Sequence, residues 1–297
     1  MIGPYDTAQA FRTALEARLR NVAQQQGTDL QRLQRRVAFE CLLARLFVEA
    51  HPPWLLKGGY ALELRLPDRA RSTLDLDVSV PNPERLVRSV SADEVDRLDA
   101  QVHEQVQIAA ERDLGDGFQF LVRLPKRANL PCGGIRCTVE ARLAGRPFSR
   151  FRLDMGLGDA VLDPPEWVEG SALLDFAGIP AARVALYPVV QQIAEKIHAY
   201  TFPWGDRDNT RVKDLVDLVL LVQSEPLEPE RVSRALRATF EMRGTHPLPA
   251  RLPAPPWDWD EPYAALAEDL GLPARTPAQA HVYLDTQWRR WNLGLVV

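Results

Sequence analysis

Leu74-Asp75-Leu76-Asp77-Val78-Ser79-Val80 alternates without a break between apolar and polar residues. An extended chain through it puts Leu76, Val78 and Val80 on one face and Asp75, Asp77 and Ser79 on the other. The reading is a strand with a carboxylate edge. Two aspartates two residues apart on a strand point the same way at roughly 6–7 Å, close enough to hold two divalent ions about 3.5–4 Å apart. Two-metal phosphoryl or nucleotidyl transfer needs such a pair: one ion activates an attacking hydroxyl, the other neutralises a leaving pyrophosphate, and oxygen ligands suit Mg²⁺. Taken alone, the same pattern also describes a solvent-facing edge strand.

Upstream, Leu55-Leu56-Lys57-Gly58-Gly59-Tyr60-Ala61-Leu62 reads as a short apolar strand that enters a glycine pair and leaves into a helical run. Glycines at that junction let backbone N–H groups approach a phosphate, and the N-terminus of the helix that follows favours its charge. Downstream, Phe118 to Leu124 and Cys137 to Leu143 alternate in the same way. Ala144-Gly145-Arg146-Pro147 reads as a turn into a further alternating run, with Phe151, Leu153 and Met155 set against Arg150, Arg152 and Asp154. A mixed or antiparallel sheet is expected. Asp154 falls at a position suited to a third carboxylate, and Glu140 on the preceding strand competes for that role.

Helices are read on either side of the sheet. Thr7 to Gln26 and Leu30 to Ala50 precede the sheet; Val189 to Phe202, Arg211 to Ser224, Pro229 to Arg243, Glu261 to Gly271 and Pro277 to Leu293 follow it. The Pro- and Trp-rich stretch from Thr245 to Pro262 reads as an irregular connector. The expected class is α+β: a mixed sheet with flanking helices over 1–187, then a mainly α-helical domain over 188–297. On the helix from Val189, Val190, Ile193, Ala194 and Ile197 make the buried stripe, with Lys196 beside it at a rim. On the next, Lys213 and Asp217 are spaced i, i+4 and Asp214 and Asp217 i, i+3, as surface ion pairs would be.

Composition narrows the function classes. The 297 residues are 46% hydrophobic and 26% charged, within the ordinary globular range. No run approaches the roughly 18 apolar residues of a membrane span and no signal peptide opens the chain, so a cytoplasmic protein is expected. Cys41, Cys132 and Cys137 form no zinc spacing and read as buried or neutral thiols. Net charge is −4, so any nucleic-acid surface must be a local basic patch. Arg142, Arg146, Arg150 and Arg152 form one candidate, and Arg231, Arg234 and Arg237 another. Only four of the 36 basic residues are lysines, Lys57, Lys126, Lys196 and Lys213. Lys57 adjoins the glycine pair, and Lys196 and Lys213 lie on the helices that begin near Val189 and Arg211. The five histidines show no metal or triad spacing, and Trp257, Trp259, Trp288 and Trp291 read as packed under a loop or within a helix.

The order of motifs is more specific than any one of them. Lys57-Gly58-Gly59-x-Ala61-Leu62, then Arg71-x-Thr73-x-Asp75-x-Asp77, then Glu195-Lys196, then Arg211-x-Lys213-Asp214-x-x-Asp217 resembles the AbiEii/AbiGii toxin family and its MenT relatives, within the polymerase-β nucleotidyltransferase superfamily. The resemblance covers about Leu55 to Leu221. It implies the superfamily's mixed sheet and transfer of a nucleotide from a nucleoside triphosphate to an acceptor, for some relatives the 3′ end of tRNA, which blocks translation. It implies Mg²⁺ or Mn²⁺ held by Asp75, Asp77 and Asp154, and a nucleotide held by Lys57, Gly58, Gly59, Arg71, Thr73 and Lys196. Asp214, or Asp217 in its place, becomes the essential helical acid. A cognate antitoxin encoded nearby and a monomeric enzyme complete the expectation. The competing readings keep the fold and change the acceptor to protein or a small molecule, or make the chain a catalytically dead binding module.

Overall fold

The structure, a computed structural model, describes residues 2–67, 69–86, 95–123, 134–205 and 208–291. Lys126 and Cys132 lie outside them. In chain order the elements are α1 (Ala8–Gln26), α2 (Leu30–Leu46), β1 (Leu55–Lys57), α3 (Gly58–Arg65), β2 (Asp75–Val80), α4 (Val95–Ala110), β3 (Phe118–Arg123), β4 (Ile135–Leu143), β5 (Arg146–Leu157), β6 (Glu166–Glu169), β7 (Arg183–Leu186), α5 (Val189–Tyr200), α6 (Val212–Ser224), α7 (Pro229–Arg243), α8 (Asp260–Asp269) and α9 (Pro277–Trp291). Two compact units result: residues 1–64, 72–158 and 165–186 in one, and 65–71, 159–164 and 187–297 in the other. Two short segments ahead of residue 187 thus belong with the helical unit.

The first unit is built on a seven-stranded mixed sheet in the order β3-β4-β5-β2-β1-β7-β6. β2 runs parallel to β5, and β1 parallel to β7; the other neighbours are antiparallel. Alternation explains the layering. Leu76, Val78 and Val80 of β2, Cys137, Val139 and Ala141 of β4, and Phe151, Leu153 and Met155 of β5 are all buried, as a half-solvated sheet requires. Helices α1, α2 and α4 pack against the sheet, and Phe39 of α2 meets Tyr60 and Phe151 edge-on at ring separations of 4.9 and 4.8 Å.

The two opening helices carry their start signals. Thr7 accepts from the amide of Ala10 to cap α1, and Asp29 accepts from the amides of Gln31 and Arg32 to cap α2. Within the core, Arg45 of α2 is fully shielded and donates to both carboxylate oxygens of Asp116 at 2.7 and 2.6 Å and to the carbonyl of Phe118 at 2.9 Å. This ion pair fixes α2 to the entry of β3. The turn from β4 to β5 places Ala144 and Gly145 at φ 53° and 72°, the left-handed pair that a two-residue hairpin demands.

In the helical unit, α6 is the centre. Leu215 through Val222 are all buried, and α5, α8 and α9 pack around it. Trp259, Trp288 and Trp291 are buried, whereas Trp257 is 88% exposed, contrary to its expected place under a loop: it lies on the first residue of a short 3₁₀ turn whose last residue, Trp259, points inward. Arg231 and Arg234 are not a bare basic patch either, since both pair with Asp163. Cys41 and Cys137 are buried, and burial pushes the Cys137 thiol up to about 12. Among the described residues no helix is long and apolar enough to cross a membrane.

Candidate active site

The sheet register assembles one row of charged residues. Lys57 of β1 stands opposite Asp77 of β2, Asp77 opposite Asp154 of β5, and Asp154 opposite Arg136 of β4. Side chains at paired positions of neighbouring strands share a face, so four strands place two carboxylates at the middle of a row and a cation at each end. Asp75 leads the adjacent row beside Arg152, whose Nε lies 3.1 Å from its Oδ1. The competition between Asp154 and Glu140 is thereby a matter of strand order. β5 is the immediate neighbour of β2; Glu140, on β4, stands opposite Arg150 and is gripped by Arg142 and Arg150.

Gly58 closes β1 against this row. Its φ is +69°, and a Cβ there would lie 2.0 Å from Oδ2 of Asp77 and 2.6 Å from its Cγ. Two independent constraints therefore require glycine: the left-handed backbone, and the space that the Asp77 carboxylate already fills. The same residue begins α3, so Asp77 lies against the positive end of a helix dipole. Gly59 follows it, buried in the first turn.

Asp154 is held by a two-pronged ion pair, Arg136 Nε to Oδ1 at 2.8 Å and Nη2 to Oδ2 at 2.6 Å. The hydrogen bond to Asp154, and then the negative charges of Asp154, Asp75 and Asp77, raise the affinity of Arg136 for its proton. Thr73, expected at the nucleotide, makes a local turn: its hydroxyl donates to the carbonyl of Asp75 at 3.1 Å, which sets the start of β2.

The other expected residues form a second cluster, inside the helical unit. Lys196 of α5 donates to Oδ1 of Asp214 at 3.0 Å and to Oδ2 of Asp217 at 2.7 Å, both on α6. Arg71 donates from Nε and Nη2 to Asp217 at 3.0 and 2.7 Å. Asp217 is wholly buried and Lys196 is 9% exposed. Burial opposes both charges, yet Asp217 and Asp214 outweigh it and raise the Lys196 ammonium, while Lys196 and Arg71 pull the Asp217 carboxyl below its ordinary range. Two expectations are corrected here. Lys196 is not a rim lysine but the centre of a buried ion-pair network, and Asp217 pairs across helices with Lys196 rather than along its own helix with Lys213, which is exposed.

Sequence reasoning missed Arg136, the second partner of Asp154. Its signal was available, since Arg136 precedes the alternating run from Cys137 by one residue; what alternation lacks is the neighbouring strand. Among the described residues no group of three His, Cys, Asp or Glu side chains converges into a ready metal cage. The donor chemistry nonetheless fits a hard cation: Asp75, Asp77 and Asp154 offer only carboxylate oxygens, on adjoining positions of two paired strands.

A family model described as nucleotidyl transferase AbiEii toxin, Type IV TA system, matches residues 41–286. Among solved structures, MenT4, a nucleotidyltransferase toxin from Mycobacterium tuberculosis, superposes with a TM-score of 0.57 at 18% identity, covering 94% of this chain and 98% of its own. An antigenic nucleotidyltransferase-like protein from Paracoccidioides brasiliensis aligns at a TM-score of 0.36 and 15% identity, covering 70% of this chain and 88% of its own. The likeness to MenT4 is one of fold; the second, at its TM-score, adds nothing to it. No curated protein sequence matches the chain.

Proposed function

The chain belongs to the AbiEii nucleotidyltransferase toxin family, and from that premise we propose that it transfers a nucleotide from a nucleoside triphosphate to an RNA acceptor, the 3′ end of tRNA, and so blocks translation. One observation carries the reading: Asp77 and Asp154 are register partners on parallel strands, with Asp75 on the same face and Gly58 packed against Asp77. Three carboxylates gathered on one face of two paired strands offer the hard oxygen donors through which a divalent cation can bring a triphosphate close.

Asp75, Asp77 and Asp154 would hold Mg²⁺ or Mn²⁺. When bound, the metal lowers the pKa of the attacking hydroxyl and neutralises charge on the leaving pyrophosphate. The chain's own residues do the rest. Lys57, at the end of the charged row, supplies a cation for a phosphate oxygen, and the start of α3 at Gly58 and Gly59 supplies backbone amides. Arg152 and Arg136 orient Asp75 and Asp154. Lys196 has three N–H donors, of which Asp214 and Asp217 take two; the third is the one we assign to the triphosphate, with Asp214 as the acid that holds the ammonium in place and Arg71 locking Asp217. The toxin acts as a cytoplasmic monomer kept in check by a cognate antitoxin.

The test is to incubate the full chain with Mg²⁺ and each labelled nucleoside triphosphate, adding total RNA or total protein. Label in the RNA fraction, removed by alkaline phosphodiester hydrolysis and abolished by chelation, is the expected result. Label in protein instead would replace the acceptor and leave the nucleotidyl transfer standing.

A further inference from the structure

Glu140 is buried to within 5% of its surface, yet it lies on the polar face of β4, two arginines standing over it. Arg142 donates from Nε to Oε1 at 2.6 Å, and Arg150 approaches Oε2 with Nε at 2.9 Å and Nη2 at 2.7 Å. These hydrogen bonds, that of Arg142 first, hold the Glu140 carboxyl below the usual range. The side chains of Arg142 and Arg150 remain 43% and 67% exposed. Two guanidiniums on one carboxylate leave an excess positive charge, and each fork keeps terminal N–H donors that Glu140 does not take. One arginine already balances the charge of Glu140, so the second, two-thirds exposed, is more than the ion pair needs.

The placement of this trio relative to the carboxylate row is fixed by register. Along β5 the order is Arg150, Arg152, Asp154, with Arg152 opposite Asp75 and Asp154 opposite Asp77. At roughly 3.3 Å per residue, Arg150 lies about 13 Å from Asp154, and Arg152 lies midway. A nucleic-acid strand extended along β5 advances one nucleotide in about the span of two strand residues. We propose that Glu140, Arg142 and Arg150 form a phosphate clamp for the acceptor RNA, gripping the backbone about two nucleotides upstream of the reacting 3′ end. Glu140 is the positioning residue, and the two arginines make the contact. The proposal rests on RNA being the acceptor.

The experiment uses the full chain and an RNA minihelix with a single-stranded 3′ end, synthesised as a set in which one linkage at a time, from the first to the fifth, is a neutral methylphosphonate. Affinity is read by fluorescence anisotropy without nucleotide, for the wild type and for Arg142→Gln/Arg150→Gln. Neutralising the second or third linkage should weaken wild-type binding about tenfold and leave the variant's affinity unchanged. The slope of log affinity against log salt should fall in the variant by about 0.7 for each phosphate it no longer neutralises. Equal losses in both proteins, or no linkage that matters, would overturn the clamp while transfer of label to RNA still upheld the acceptor. Label entering protein and no RNA bound would overturn both.

Discussion

Lys196 Nζ lies 2.7 Å from Oδ2 of Asp217, a carboxylate wholly shielded from solvent between α5 and α6. Asp217 keeps its charge in that setting because Lys196 and Arg71 both face it.

Removing one of those cations leaves a buried charge half compensated. Lys196→Ala should therefore cost the helical unit about 3 kcal/mol, the lower end of the range for breaking a buried pair because Arg71 remains. Urea unfolding of the wild type and the variant measures this directly. An unchanged midpoint would show that Lys196 lies at a solvated rim. Transfer should fall as well, and the stability measurement separates the two losses: a variant restabilised by ligand that still fails to transfer identifies Lys196 with the nucleotide.

Asp77→Asn removes a charge at a half-exposed position and leaves its shape. The melting temperature should stay close to that of the wild type, while nucleotide transfer drops by at least about a hundredfold. Growth arrest on expression in a bacterial host should vanish with the same substitution. Toxicity that persists in a folded Asp77→Asn protein would assign the effect to binding rather than catalysis.

Gly58→Ala meets both a left-handed backbone and the carboxylate of Asp77. We expect a loss of about 1–3 kcal/mol in stability together with impaired transfer, because relief of the clash displaces Asp77. Gly145→Ala offers the contrast. Its φ is +72° and nothing lies within 4 Å of the added Cβ, so it should lose stability and keep its turnover.

Acid should loosen the helical unit through His198. Burial first, then the charges of Arg243 and His246, lower this imidazole to about 4, while Thr245 shares its Nε2 at 2.8 Å. A histidine held neutral in the fold stabilises it above its unfolded value of 6.5 and loses that contribution as pH falls from 6.5 towards 4. The window is worth roughly 3 kcal/mol. Denaturation midpoints at pH 7 and pH 5 should diverge in the wild type and draw together in His198→Gln; identical pH dependence in the two would remove His198 from the effect.

The elements that position the site were legible because each carries a local pattern: unbroken alternation for β2, a turn at Ala144-Gly145 for the hairpin. β6 and β7, at four residues each, are too short for alternation to stand out from a loop. Helix α4 did hold a signal, since Val102, Val106 and Ala109 recur at helical spacing and are buried, but it lay in a polar stretch between strands. The charged row of Lys57, Asp77, Asp154 and Arg136 was legible only in pieces, because strand order is a property of pairing and not of any one strand. The position of Lys196 failed for a related reason. A lysine beside an apolar stripe looks the same whether solvent or a pair of aspartates on another helix stands over it.

The sheet order also sets a timetable. β2 has its parallel neighbour in β5, and β1 has its own in β7, so each central strand waits for a partner separated from it by much of the domain. Long-range parallel pairing is slow to form and cannot begin until both strands exist. On a ribosome adding some 5–20 residues per second, a chain that already contains Asp75 and Asp77 still lacks Asp154 for seconds, and the sheet that aligns them closes only when Leu186 has followed. The nascent chain therefore carries its aspartates long before it carries the sheet that aligns them.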